Sequence, residues 1–166
     1  MKTVAGGVCA AKGFTASGIH CGIRKNKQKK DLSLIYSEKR AAAAVYTTNL
    51  VKGAPLTVTK AHLADGYAQA VICNSGNANT CNANGIEIAE KMCALVSDKL
   101  GIPAADVVVA STGVIGQPLD ITPIEAGMEP LAAGLGANSA DAAEGIMTTD
   151  TEKKEIAVSF EIDGIT

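Results

Sequence analysis

The sequence predicts a single α/β domain, residues 1–166, in which helices pack against a sheet. An almost wholly apolar run at 68–73 predicts a buried strand. Apolar residues spaced by three and four over 86–100 predict an amphipathic helix after that strand. With no Trp and 3% aromatic residues, the core must be filled by aliphatic side chains, which suit closely layered sheet and helix.

The charge balance argues against nucleic acid and membrane surfaces as partners. Fifteen basic and seventeen acidic side chains leave a net charge of −2, which suits a small neutral or zwitterionic ligand. The basic segment 25–30, KNKQKK, could contact nucleic acid, but without interleaved aromatic residues it is more typical of a solvated turn. No apolar run approaches the roughly 20 residues of a membrane span, so we expect a cytoplasmic protein.

The cysteine pattern predicts reduced thiols rather than a metal or redox site, because the cysteines are odd in number and include no C-x-x-C pair. The five cysteines are Cys9, Cys21, Cys73, Cys81 and Cys93. Cys93 lies beside the apolar stripe of the 86–100 helix and is interpreted as a core residue. His20 and His62 are isolated in the sequence, so neither is expected to activate a nucleophile.

The first half of the chain is predicted to consist mainly of strands separated by turns. Alternating apolar and polar residues favour strands at 31–38 and 56–59, in addition to the buried strand at 68–73. The alanine-rich segment 41–48 is predicted as a further strand because β-branched and aromatic residues close it, although poly-alanine also fits a helix.

An asparagine-rich segment, NSGNAN continuing to Gly85, follows the buried strand. Five asparagines in 74–84 are not expected to pack as core, because burial would leave their amide donors and acceptors unpaired. Two interpretations remain open. The segment forms surface turns, or its amides face a polar site where a buried strand ends and a helix follows.

Two more helices are predicted in the second half. Thr122 as N-cap, Pro123 at the first helical position and Glu125 three residues after the cap form a capping box, which predicts a helix start. A short helix is predicted at 139–146. The hydroxyl-rich loop Met147-Thr-Thr-Asp-Thr151 follows it, and turns of this composition are common at protein surfaces.

The stretch VVVASTGVIG, residues 107–116, predicts an apolar strand that leads into a glycine-containing loop. Because glycine has no Cβ, the main chain there can approach another group closely. We therefore predict that this loop presents backbone N–H groups to a ligand.

The C-terminal residues predict a strand at 155–162 and a tight turn at Asp163-Gly164, the composition typical of a two-residue hairpin. The strand that should return from this hairpin begins with Ile165 and Thr166, where the sequence stops. An unpaired edge strand is unfavourable, so we expect these residues to be part of a larger polypeptide.

Several motifs, in order and over nearly the whole chain, resemble the N-terminal (α) part of the ornithine acetyltransferase family, the glutamate N-acetyltransferases of the cyclic arginine pathway. They are GIHCGIRKNKQKKDLSLIYSE from Gly18, AVYTTNLVKGAPLTVT from Ala44, VICNSGNANTCNANG from Val71, VVVASTGVIGQPL from Val107 and MTTDT from Met147.

The resemblance implies a layered α/β sandwich of the ornithine acetyltransferase/DmpA-like type, completed by strands of a β chain. Members of the family are made as a precursor that cleaves itself before a threonine. That threonine becomes the N-terminus of the β chain and the nucleophile, and αβ pairs assemble as an α2β2 heterotetramer. Relatives continue past the hairpin into a Lys-Gly-Ser-Gly-Met segment and an Ala-Thr cleavage site, both absent from this sequence. The nucleophile is therefore expected outside this chain.

The resemblance also implies site residues. The nucleophile takes acetyl from N-acetylornithine, releasing ornithine, and passes it to glutamate. Acetyl-CoA is a further donor in bifunctional members, and no bound cofactor or metal is expected. The Ser-Thr-Gly segment supplies the oxyanion hole in the family, which assigns that role to Thr112 and Gly113. A threonine of the hydroxyl-rich loop contacts substrate, and the alignment favours Thr149 over Thr148.

Two other classes of function remain open at this stage. The Ser-Thr-Gly-Val-Ile-Gly loop could cradle an anion or nucleotide, although neither G-x-x-x-x-G-K-[ST] nor G-x-G-x-x-G occurs there. Alternatively, the chain could be a noncatalytic assembly subunit whose loops only pack against neighbours.

Overall fold

A computed structural model describes residues 1–26 and 29–166. The strands and helices of these residues alternate along most of the chain. The strands are β1 (Lys2–Val4), β2 (Thr15–Ile19), β3 (Leu32–Ala41), β4 (Tyr67–Asn77), β5 (Val107–Val114) and β6 (Ala157–Ser159). The α-helices are α1 (Ala54–His62), α2 (Gly85–Leu100), α3 (Thr122–Ala133) and α4 (Ser139–Gly145).

The main sheet contains four strands in the order β2-β3-β4-β5. Strand β3 pairs antiparallel with both β2 and β4, whereas β5 pairs parallel with β4. A parallel pair needs a crossover connection, and α2 provides it. Strands β4 and β5 therefore end at the same edge of the sheet, where their final residues lie side by side.

Helices α1, α2 and α3 cover one face of the sheet, and the apolar core lies between them and the strands. The apolar stripe predicted for residues 86–100 is the buried side of α2, with Met92 and Val96 fully buried. Cys93 is also fully buried, as predicted. Gly101 ends the helix at φ 67° and donates its N–H to the carbonyl of Ser97.

Helix α4 packs against the opposite face of the sheet through small and hydroxyl-bearing residues. Ser33 Oγ donates to the carbonyl oxygen of Ala142 at 2.7 Å, and Ser75 Oγ donates to that of Gly145 at 2.6 Å. A Cβ on Gly18 would lie 2.1 Å from the carbonyl oxygen of Asp141, so this approach requires glycine. The backbones of α4 and β2 are therefore in direct contact at this position.

The structure confirms the α/β class and several predicted elements. The strands predicted at 31–38 and 68–73 lie within β3 and β4, and the helices predicted at 86–100 and 139–146 correspond to α2 and α4. The Asp163-Gly164 turn is also present, since the backbones of Ile162 and Ile165 exchange two hydrogen bonds of 3.0 Å.

Two strand predictions in the first half are wrong. Residues 42–49 form no regular element, and only Ala41 belongs to a strand. Residues 56–59 lie in α1, which starts with Pro55 in its first turn. The short alternation there also matches one turn of a helix, because Val58 packs into the core while Thr59 Oγ1 donates to the carbonyl oxygen of Val109 at 2.8 Å.

The start of α3 differs from the predicted capping box. Thr122 is the first helical residue, Ile121 is at the N-cap, and no side chain caps the helix. Instead, Asp120 Oδ1 accepts the N–H of Thr122 at 2.9 Å, and this hydrogen bond lowers the pKa of Asp120. Because an aspartate two residues earlier already satisfies this amide, the threonine is not needed as a cap.

At the C-terminal end, the strand prediction for 155–162 is too long, since β6 contains only residues 157–159. The strand pairs antiparallel with β1, so one of its two edges is paired within the described residues. In the basic segment, Lys27 and Gln28 lie outside the described residues. Lys30 forms an ion pair with Asp141 of α4, so the segment is anchored at that end.

Candidate active site at the carboxyl ends of β4 and β5

Strand β5 continues through the Ser-Thr-Gly segment to Val114, so the prediction that the chain leaves the sheet at this segment is wrong. Thr112 is the register partner of Ser75, and Gly113 is the partner of Gly76. The register then shifts, because Asn77 is opposite both Thr112 and Val114. Such an irregularity in a ladder re-aims the chain beside it, a common feature near active sites. Thr112 is half-buried and Gly113 is exposed.

Gly113 is required by its conformation and by its surroundings. Its φ of +131° is one that other residues rarely adopt. A Cβ at this position would lie 2.5 Å from the carbonyl carbon of Gly76 and 2.7 Å from the nitrogen of Asn77. Strands β4 and β5 therefore approach each other closely at Gly76 and Gly113. The sequence analysis predicted such a close backbone approach at Gly113.

The asparagine-rich segment is largely buried, which corrects the expectation that it cannot pack as core. Asn74 and Asn79 are almost fully buried, and Asn77 is 7% exposed. Their amide nitrogens pair with backbone carbonyls, since Asn74 Nδ2 donates to Asn77 at 2.9 Å and Asn79 Nδ2 donates to Gly85 at 2.8 Å. Irregular backbone thus supplies acceptors that a regular ladder would have consumed. The Oδ1 atoms of Asn74 and Asn79 are buried without a partner among the described residues, so the expectation of unpaired groups holds for these two acceptors.

These asparagines hold the loop after β5 against the loop after β4. Asn77 Nδ2 donates to the carbonyl oxygen of Gln117 at 3.0 Å. The backbone adds two bonds, from Ala78 N–H to the carbonyl of Val114 at 2.8 Å and from Gly116 N–H to that of Thr80 at 2.9 Å. The Gly-Val-Ile-Gly turn is therefore fixed by its neighbour, although its side chains are exposed.

The hydroxyl-rich loop 147–151 follows α4 and lies beside the end of β4, because Ser75 contacts Gly145. Thr149 is exposed, whereas Thr148 is half-buried. The N–H of Thr148 donates to Asp150 Oδ2 at 3.2 Å. Lys154 and this amide hold the pKa of Asp150 below its usual range, so the carboxylate that shapes the loop stays ionised.

The structure thus brings Thr112, Gly113 and the Thr149 loop to the same edge of the sheet. Ser75 connects them, since it is the register partner of Thr112 and its hydroxyl binds the end of α4. Neither the catalytic role of Thr112 and Gly113 nor the substrate contact of Thr149 is tested by this placement. What the arrangement provides is an exposed strand end and a loop with an exposed threonine, both at the edge where parallel strands commonly present ligand groups.

A buried carboxylate below this edge was missed by the sequence analysis. Asp31 is fully buried and accepts the backbone N–H groups of Cys21 at 2.6 Å, Gly22 at 3.2 Å and Arg24 at 2.9 Å. His20 Nδ1 lies 3.2 Å from the same carboxylate. The only signal in the sequence is an aspartate immediately before an alternating strand. Asp31 shapes the 20–24 loop and, after burial itself, contributes to raising the pKa of Cys21 to about 12.

Other features of the described residues do not add a ligand site. In residues 1–26 and 29–166 no group of three or more His, Cys, Asp or Glu side chains is arranged to hold a metal ion. No helix within these ranges is long and apolar enough to cross a membrane. An open surface groove beside β6, lined by Val158, Phe160 and Ile165, contains none of the predicted site residues.

Comparison with known proteins gives consistent matches. The ArgJ family model matches residues 15–166. The arginine biosynthesis bifunctional protein ArgJ of Symbiobacterium thermophilum is 48% identical over 170 residues, which cover 100% of this chain and 42% of that protein. The protein of the same name from Caldanaerobacter subterraneus is 46% identical over 167 residues, covering 99% of this chain and 41% of that protein. The chain therefore spans about two fifths of the length of these relatives.

Two crystal structures are similar to this fold. The arginine biosynthesis bifunctional protein ArgJ of Bacillus halodurans superposes with a TM-score of 0.84 at 39% identity, over 90% of this chain and 80% of that chain. The ornithine acetyltransferase of Mycobacterium tuberculosis, solved in complex with ornithine, gives a TM-score of 0.86 at 34% identity, over 91% and 84% of the two chains.

Proposed function

The chain belongs to the ArgJ family, and from that premise we propose that it is the α-chain part of a glutamate N-acetyltransferase in arginine biosynthesis. The reaction is transfer of an acetyl group from N-acetylornithine to glutamate. The observation that supports the proposal is that the Thr112-Gly113 strand end and the loop that contains Thr149 lie at one edge of the sheet, both next to Ser75 or to its partner Gly145. The ornithine in the crystal structure of the Mycobacterium relative supports an ornithine-type substrate.

In the proposed reaction the nucleophile is the N-terminal threonine of a β chain from the same precursor. Its hydroxyl attacks the acetyl carbonyl of N-acetylornithine, and its own α-amine takes the hydroxyl proton. The α-ammonium then gives this proton to the departing amine, so the tetrahedral intermediate releases ornithine and leaves an acetyl ester on the threonine. The amine of glutamate then attacks this ester, which forms N-acetylglutamate and regenerates the threonine. Acetyl-CoA would enter as an alternative acetyl donor, not as a bound cofactor.

The roles proposed for this chain are to stabilise the oxyanion and to position substrate. Backbone N–H groups at Thr112 and Gly113 would donate to the oxygen that gains charge when the carbonyl is attacked. Loss of one such donor typically costs about 3 kcal/mol of barrier, roughly a hundredfold in rate. The exposed Thr149 would contact the ornithine part of the substrate. Assembly as α2β2 is part of the same proposal.

The first experiment compares this chain alone with this chain joined to its β chain. Each sample receives N-acetylornithine and glutamate, and N-acetylglutamate is quantified by mass spectrometry. We expect product only in the joined sample, and the intact mass should reveal a second polypeptide that begins with threonine. Nucleotide binding by the chain alone, with no acetyl transfer in either sample, would instead support an anion-binding module.

The second experiment uses Gly113, near the end of β5, and Gly116, in the turn that follows. Gly113→Ala places a Cβ against the backbone of Gly76, whereas a Cβ on Gly116 meets nothing within 4 Å. Both residues have positive φ, but +131° at Gly113 is costlier for alanine than +76° at Gly116, so the pair differs in backbone strain as well as in the displacement of β5. We expect kcat to fall about a hundredfold more in Gly113→Ala than in Gly116→Ala, because the oxyanion donors move. Equal kcat values would contradict the proposed role of Gly113.

A further inference from the structure

We infer that Arg24 is a positioning residue that aligns the Thr149 loop with the Thr112-Gly113 strand end. The inference rests on the proposed function, because it assigns the alignment of two parts of that site to one side chain. Arg24 lies in the loop after β2, far in sequence from both parts. It is half-buried, and its guanidinium and its aliphatic stem contact different elements.

The backbone of Arg24 is fixed from below by the buried carboxylate. Its N–H donates to Asp31 Oδ2 at 2.9 Å, beside the two further amides that Asp31 accepts. Asp31 is itself anchored in the sheet, since its carbonyl oxygen accepts the N–H of Ser75 at 2.9 Å. The backbone position of Arg24 is therefore fixed relative to strand β4.

The stem of Arg24 lies against the glycine pair where β4 and β5 end. A Cβ on Gly76 would lie 2.9 Å from Arg24 Cγ, so the stem occupies the space that the missing side chain leaves. Gly76 in turn lies directly against Gly113, where a Cβ would meet its carbonyl carbon at 2.5 Å. The stem of Arg24 therefore packs against Gly76, and Gly76 packs against Gly113.

The guanidinium of Arg24 reaches the other part of the site. Its Nη2 donates to the carbonyl oxygen of Met147, the residue immediately before Thr148 and Thr149. A hydrogen bond from a charged donor is stronger than one from a neutral donor, so this contact holds the start of the loop. Arg24 Nε is buried without a hydrogen-bond partner among the described residues. The guanidinium is therefore held through the hydrogen bond of Nη2 with Met147.

One side chain therefore packs under the strand end and binds the substrate loop. If the stem or the head group is lost, the loop and the strand can shift relative to each other without unfolding either. Misplacement of reacting groups by about 1 Å can lower the rate a hundredfold. We expect both kcat and KM for N-acetylornithine to change, because the loop positions substrate and the strand end stabilises the transition state.

The test uses the complete αβ protein and three variants. Arg24→Met keeps an apolar stem and removes the guanidinium, and Arg24→Lys keeps a stem and a cationic donor. Arg40→Met is the matched control, since Arg40 is exposed and, within residues 1–26 and 29–166, its ion pair is with the surface carboxylate of Glu38 at 3.3 Å. We expect kcat/KM to fall about 10- to 100-fold in Arg24→Met, to recover at least threefold in Arg24→Lys, and to stay at the wild-type value in Arg40→Met.

Hydrogen exchange supplies a readout that does not require activity. In Arg24→Met we expect amides of residues 146–152 to exchange about tenfold faster, while amides of α2 keep their wild-type rates. Unchanged exchange at 146–152 would overturn the inference. So would an equal increase in α2 without recovery in Arg24→Lys, because that result indicates general destabilisation. If the wild-type protein transfers no acetyl group, the proposed function fails, and the exchange data still decide whether Arg24 holds the loop.

Discussion

The two faces of the four-stranded sheet are covered in different ways. On one face, α1, α2 and α3 bury aliphatic side chains such as Leu34 and Ile72. On the other, α4 is held by the hydroxyls of Ser33 and Ser75 and by a glycine contact. Apolar burial is non-directional and scales with area, whereas hydroxyl-to-carbonyl contacts need defined positions. The face with positional contacts is the one from which α4 leads into the proposed substrate loop.

The largest effect on folding is expected on the apolar face. Leu34→Ala removes a fully buried side chain and should lower the free energy of unfolding by about 2–5 kcal/mol. Leu50→Ala is the control, because Leu50 is 95% exposed and its removal should change stability by less than about 0.5 kcal/mol. Urea denaturation measures both values. Equal losses in the two variants would contradict the assigned core.

A smaller effect is expected where α4 meets the sheet. Gly18→Ala places a Cβ 2.1 Å from the carbonyl oxygen of Asp141, so α4 must move, at a cost of about 1–3 kcal/mol. Gly136→Ala is the matched control, since its Cβ would meet no atom closer than 3.5 Å. Thermal unfolding of both variants checks this. A Gly18→Ala protein as stable as Gly136→Ala would mean that α4 does not approach this closely.

Ser33→Ala removes one hydroxyl from the α4 face and sharpens the comparison with its neighbour Leu34. The change leaves the carbonyl of Ala142 without this donor and should cost about 0.5–1.5 kcal/mol. The loss of stability should therefore be smaller for Ser33→Ala than for Leu34→Ala, although the two residues are adjacent in the chain. Urea denaturation measures the free energy of unfolding of Ser33→Ala and Leu34→Ala. A larger loss of stability in Ser33→Ala would contradict the assignment of Leu34 to the apolar face.

The last effect is a pH dependence that arises in the apolar core. Burial raises the pKa of the Cys93 thiol from 9.0 to about 12, with a further contribution from Glu90. The folded protein thus holds a proton that the unfolded chain releases above pH 9, so stability falls as pH rises from 9 towards 12. The slope for one thiol is at most about 1.4 kcal/mol per pH unit.

Urea denaturation between pH 8 and 10 can isolate this contribution. The stability difference between wild type and Cys93→Ala should shrink as pH rises through this range. Cys81→Ala provides the control for loss of a thiol, since Cys81 is exposed whereas Cys93 is buried. A difference that stays constant for Cys93→Ala would show that the thiol is not shielded.

How far each element could be predicted depended on the range of its interactions. The α2 helix was predictable, because its apolar stripe and Gly101 lie within one continuous segment. Residues 56–59 were misassigned, because four alternating residues fit either period and contact with β5 decided between them. The burial of Asn74 and Asn79 was not predictable, since their acceptors lie on irregular backbone that only the folded chain creates.

The candidate site divides in the same way. Thr112, Gly113 and Thr149 were nominated through motifs that resemble the family, and their roles remain predictions. Arg24 and Asp31 were not singled out, although both lie within the first of those motifs. Nothing local distinguishes Arg24 from the other cations of the basic segment, because its contacts with Gly76 and Met147 span 52 and 123 residues of sequence.

By itself the sequence determined the α/β class, the amphipathic helix and the family of this chain, because apolar periodicity and contiguous motifs are properties of short segments. The tertiary structure alone decided which strand ends share an edge and that Asp31 is buried. It also decided that one arginine reaches from the β2 loop to the residue before the paired threonines. Those features depend on contacts between residues distant in the chain, and their partners become defined only when the sheet assembles.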